Sequence, residues 1–149
     1  MERLNERLAQ ADRVLATLES LLLEEQEANT VIRDAAIQRF AYSYEAVWKA
    51  AQHYLRVIEG LEEGSPKAVI RACVRTGILR VDDGRVALAM VDDRNLTSHT
   101  YNEKLAAKIY RSLPEYASVD AVLAGDHRRE SGSSMSREAT GPRAFDGNG

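Results

Sequence analysis

The chain holds one cysteine, Cys73, among 149 residues, so no internal disulfide can form. In "VIRACVR" that thiol reads as a small buried hydrophobe of a reducing compartment. No apolar run approaches the roughly 20 residues that a membrane span needs. The opening "MERLNERLAQ" is charged from its start and lacks the apolar stretch of a secretory signal. The expectation is a cytoplasmic protein with no membrane segment. An excess of positive charge is also missing. The formal net charge is −3, so any contact with nucleic acid has to come from a local patch. Gly-rich phosphate loops, Cys/His metal clusters and Ser-His-Asp sets are absent too. The expectation is therefore no metal and no cofactor.

What is present suits a globular helical protein. Hydrophobic residues make up 44% and charged residues 29%, which fits one domain. From His127 the chain reads "HRRESGSSMSREATGPRAFDGNG". It has almost no large apolar residues to offset the entropy of ordering. The expected organisation is a helical domain over 1–125 and a disordered tail over 126–149.

Leu4, Leu8, Ala11, Leu15, Leu18 and Leu22 form one stripe at helical spacing. A seam this regular can pack in a bundle or against a second chain. Asn29 and Thr30 offer an N-cap for a second helix, running to about Ile58. It is apolar on more than one side (Ile32, Ala36, Phe40, Tyr44, Val47, Trp48, Ala51, Leu55), which marks a central helix. Glu45 and Lys49 are spaced for an i,i+4 pair. For Trp48, Lys49 and His53, core packing or a solvated face outweighs a functional reading.

Ser65 and Pro66 mark the start of a third helix, and Gly77 its left-handed end. "ILRVDDGRVALAMVDDR" leaves two readings open. Asp83-Gly84 can turn a hairpin, or a helix can begin near Arg85. The helix is preferred, because a lone hairpin is marginal in a helical chain. A further helix carries Leu105, Ile109 and Leu113 on its apolar side and Lys104, Lys108 and Arg111 as a basic stripe. Pro114 should end or kink it. A last short helix, about Glu115 to Ala124, should stop at Gly125. The expected fold is all-α, an antiparallel up-and-down bundle of about five helices.

The chemistry concentrates in "RNLTSHTY", Arg94 to Tyr101, which holds one of three histidines. Within one unbroken helix, His99 would point about 140° away from Arg94. Thr100 to Glu103 reads as a capping box, with Thr100 as N-cap and Glu103 reaching back. The stretch is then a corner at which Arg94, His99 and Tyr101 can converge. A helix start there offers free N–H groups and a positive dipole end, with Lys104 and Lys108 nearby. That neighbourhood favours an anion, most simply a phosphate held by Arg94, Lys104 and Lys108. Arginine grips two phosphate oxygens at once, and a histidine can take or give a proton. Such a pair suffices for slow, metal-independent RNA cleavage through the 2′-hydroxyl. One histidine serves poorly as both base and acid, and a two-fold dimer would supply the second. The plainer reading is a polar joint between helices. Asp92 and Asp93 are adjacent and make a poor metal site, and Asp93 is expected to orient Arg94. "NLT" is a glycosylation sequon in form only, because no secretion signal accompanies it.

Arg94-x4-His99-x-Tyr101 resembles the Arg-x4-His-x-Tyr signature of the HEPN superfamily. "MVDDRNLTSHTY", "RFAYSYEAVWKAAQHYL" and "SPKAVIRACVRTGIL" are similar to its branch of nucleotidyltransferase substrate-binding proteins. The resemblance covers about residues 1–125. It implies a helical homodimer with the motif near the dimer cleft, and a minimal nucleotidyltransferase as partner. In toxin–antitoxin pairs of this kind it implies that Arg94 and His99 are the catalytic pair of a ribonuclease acting on RNA. Tyr101 would be the residue silenced by AMP transfer. The same branch also implies a different role, a non-catalytic subunit that presents a substrate to the transferase. Nothing in the chain resembles the transferase's own Gly-Ser and Asp-x-Asp signature.

Overall fold

The computed structural model describes residues 2–22 and 30–126. Among them the α-helices are α1 (Glu2–Leu22), α2 (Thr30–Tyr54), α3 (Pro66–Arg75), α4 (Val81–Asn95) and α5 (Glu103–Ala121). Wider turns of π type carry α2 on through Leu55–Glu59 and follow α5 through Val122–Asp126. The expected tail, beyond Asp126, and the proposed cap at Asn29 lie outside the described residues.

The stripe on α1 is the face it buries. Leu4, Leu8, Ala11, Leu15 and Leu18 are all in the core. α1 packs along α2 and also touches α5. Its 21 residues span about 31 Å at 1.5 Å per residue. The eight steps from Leu22 to Thr30 reach at most about 29 Å. A parallel return does not fit that connector, so α1 and α2 run antiparallel. α2 is the central helix, in contact with α1, α3, α4 and α5. Phe40, fully buried at its middle, stacks on Tyr116 of α5 with ring centroids 5.5 Å apart.

Ser65 caps α3 as expected, accepting a hydrogen bond from the Ala68 N–H, and Pro66 is its first residue. Gly77 takes a left-handed φ of 81° just past its end. α4 is a helix, not a hairpin, but it starts at Val81 rather than Arg85. Gly84 therefore lies inside its first turns. A Cβ at Gly84 would come 2.5 Å from Cγ2 of Val74 on α3, so the glycine lets the two helices approach. α5 also departs from expectation. It runs through Pro114 without a break, so Glu115 to Ala121 belong to α5 rather than to a separate helix. Leu113, Tyr116 and Ala117 are buried on either side of the proline, and that packing offsets a defect of about 3 kcal/mol.

Two buried side chains fit their simplest readings. Burial pushes the Cys73 thiol up to about 12, which keeps it inert. Burial, then the nearby charge of Arg56, holds His53 below its ordinary value. Asp120 is different. It is fully buried on α5, and neither carboxylate oxygen has a hydrogen-bond partner among the described residues. Among the described residues no helix is long and apolar enough to cross a membrane.

Candidate functional site

The motif is a corner. α4 ends at Asn95, a 3₁₀ turn covers Thr97–His99, and α5 begins at Glu103. The turn is fastened by its own backbone. The His99 N–H donates to the Leu96 carbonyl at 2.9 Å, and the Asn102 N–H donates to the His99 carbonyl at 3.1 Å.

The cap of α5 differs from expectation. Asn102, not Thr100, is the N-cap, and its side chain accepts from the Lys104 and Leu105 N–H groups. Asparagine outranks threonine at this position, so composition alone could have pointed there. Glu103 does not reach back. It accepts a hydrogen bond from Arg33 Nη1 of α2 at 2.7 Å. That bond holds the Glu103 carboxyl below its usual range and ties the start of α5 to the start of α2.

The corner brings two of the three motif side chains into contact. His99 Nδ1 lies 3.3 Å from the Tyr101 hydroxyl, and the rings meet edge to face with centroids 5.8 Å apart. Tyr101 is 82% exposed. Arg94 is held by other groups. Its Nη1 donates to Thr97 Oγ1 at 3.2 Å, and its Nη2 pairs with Glu45 of α2 at 3.6 Å. Its Nε is buried without a partner among the described residues. Glu45 thus faces Arg94 and the Trp48 indole, in place of the expected pair with Lys49. Neither Glu45 nor Thr97 was legible as a partner of Arg94, because both contacts depend on the fold.

Asp93 does not orient Arg94 as expected. It turns inward, with its side chain 5% exposed. Its carboxylate accepts from the Tyr116 hydroxyl at 2.5 Å and from Lys108 Nζ at 3.3 Å. Burial first, and then Asp93, hold the Tyr116 phenol proton well above its usual range. Lys108 is therefore committed in part to Asp93, whereas the exposed Lys104 remains at the helix start. Asp92 pairs with Lys67 of α3 at 2.8 Å. Among the described residues, no three His, Cys, Asp or Glu side chains gather as a metal site requires.

Asp93 is the anchor that joins the end of α4 to α5. Asp93→Ala removes the carboxylate that accepts from the buried Tyr116 hydroxyl, which costs about 1–3 kcal/mol. Lys108 is 60% exposed and adds little. Urea unfolding should show a loss of about 2 kcal/mol, whereas Asp92→Ala at the surface should change stability by less than about 0.5 kcal/mol. Equal small losses would mean that Asp93 is no anchor.

The family profile described as nucleotidyltransferase substrate binding protein like matches residues 6–124 of this chain. A crystal structure of a Thermus thermophilus protein is similar at 55% identity and TM-score 0.73, covering 76% of this chain and 94% of that one. HI0074 of Haemophilus influenzae, whose structure reveals the fold of a substrate binding domain of a nucleotidyltransferase, shares the fold at 19% identity and TM-score 0.53. That match covers 83% of this chain and 95% of that one. No curated protein matches the chain.

Proposed function

Because the chain belongs to the nucleotidyltransferase substrate binding protein like family, we propose that it is the binding subunit of a separate nucleotidyltransferase. Tyr101 is the hydroxyl it presents as acceptor. One observation carries this reading. Tyr101 is 82% exposed at the head of α5, with its oxygen beside the His99 imidazole. An exposed phenol next to a proton acceptor is equipped to attack phosphorus. The exposed Lys104 and the positive dipole end of α5 favour the phosphates of an incoming nucleotide. The transfer chemistry belongs to the partner. The test is incubation of the full chain with a minimal nucleotidyltransferase and ATP, followed by peptide mass spectrometry. An adenylyl group on Tyr101 supports the reading, and an unmodified chain that fails to bind the transferase overturns it.

A second reading is favoured by the shared corner of Arg94 and His99. Arg94 neutralises a phosphorane, His99 moves the proton, and two copies face each other across a two-fold axis. The protein is then a HEPN-type ribonuclease toxin, silenced when Tyr101 is capped. Arg94 has to release Glu45 to take up phosphate. This reading predicts RNA cleavage in the presence of a chelator that is lost in His99→Ala. Intact RNA after incubation with the wild type rules it out.

A further inference from the structure

We propose that His99 is the base that removes the Tyr101 proton during nucleotidyl transfer. The inference rests on the reading of Tyr101 as acceptor and adds the residue that makes the phenol reactive. Near neutrality a phenol is ionised only to about one part in a thousand, so an acceptor tyrosine needs a base within reach. Among the described residues, His99 Nδ1 is the hydrogen-bonding partner of the Tyr101 hydroxyl, at 3.3 Å. The imidazole is well held for this task. Its backbone N–H and carbonyl are both engaged by the turn, so the ring sits on a fastened segment. The outer side of Tyr101 stays open to solvent, which is where a nucleotide has to approach.

The step balances. With the imidazole in its Nε2–H tautomer, the Tyr101 hydroxyl donates to Nδ1. The phenol oxygen forms a bond to the α-phosphorus of a nucleoside triphosphate. The bond from that phosphorus to the bridging oxygen breaks, and pyrophosphate leaves with the electron pair. The proton ends on Nδ1. Glutamine at 99 can keep a hydrogen bond to the phenol but cannot take its proton, which separates proton removal from mere orientation.

The experiment needs no transferase. Benzenesulfonyl fluoride reacts with tyrosines by forming an O–S bond, fluoride leaving, and the phenol proton has to be taken up as in the transfer. The full-length wild type is labelled near neutral pH and each tyrosine is followed by peptide mass spectrometry. Tyr42 is the internal reference. It is 52% exposed, and its oxygen is engaged by Gln38 Nε2 rather than by a base. Tyr101 should react at least about tenfold faster than Tyr42. His99→Gln should slow Tyr101 by about 100-fold, within the usual range for general base catalysis, and leave Tyr42 unchanged. Added imidazole should restore part of the rate in His99→Ala. Circular dichroism matching the wild type checks that both variants fold. A Tyr101 rate in His99→Gln equal to wild type overturns the proposal. Labelling that depends on His99 in a chain no transferase modifies overturns the acceptor reading and leaves the base in place.

Discussion

Tyr101→Phe is expected to abolish nucleotidyl transfer onto the chain and to leave its stability within about 0.5 kcal/mol of wild type. The change removes one oxygen atom. That oxygen contacts His99, and both residues are exposed. A hydrogen bond between two exposed groups exchanges with water and adds little to folding. The chemistry has no such substitute, since phenylalanine has no nucleophile at that position. Intact-mass measurement after incubation with transferase and ATP reads the first effect, and urea unfolding reads the second. Tyr42→Phe serves as the control and should still gain the group. A Tyr101→Phe chain that is modified as fully as wild type removes Tyr101 as the acceptor.

The second large effect concerns pH and Asp120. Burial holds its carboxyl well above the usual range, because a charge there is shut off from solvent and has no hydrogen-bond partner among the described residues. The folded protein thus keeps a proton that the unfolded chain gives up near pH 3.9. Between those two values the folded state binds more protons than the unfolded state. The contribution is complete below the unfolded value and is lost as pH rises, at about 1.4 kcal/mol per pH unit for one group. Asp120→Asn keeps the shape and cannot ionise. Unfolding free energies measured at intervals from pH 4 to 7 should fall less steeply in Asp120→Asn than in wild type, and the variant should be the more stable at pH 7. Parallel curves would show that Asp120 does not carry the slope.

Much of the fold was legible because its signals are local. The α1 stripe names the residues that are buried, and Ser65-Pro66 and Gly77 bound α3 as their backbone preferences require. The break between Arg94 and Glu103 follows from polar, cap-forming residues. What escaped depends on partners distant in sequence. Gly84 looks like a loop residue until Val74 is seen against it. Pro114 looks like a stop until the core on both sides of it is counted. Asp93 looks like a companion to Arg94, yet its partners are Lys108 and Tyr116 on α5. At the corner the contact between His99 and Tyr101 spans two residues and was foreseeable. The hold of Glu45 on Arg94 crosses between helices and was not.

Asp93 and Arg94 are consecutive, yet they serve different helices, Asp93 reaching α5 and Arg94 reaching α2. Neighbours on a helix differ by about 100° in direction, and here that angle separates the anchor to α5 from the cation held by Glu45 of α2. The motif therefore depends on phase as well as on spelling. One residue inserted between Met90 and Asp93 would preserve every letter from Arg94 to Tyr101. It would still swing Asp93 away from Tyr116 and turn Arg94 off Glu45. A substitution along α4 disturbs one partner, whereas a change in its length displaces all the later ones together.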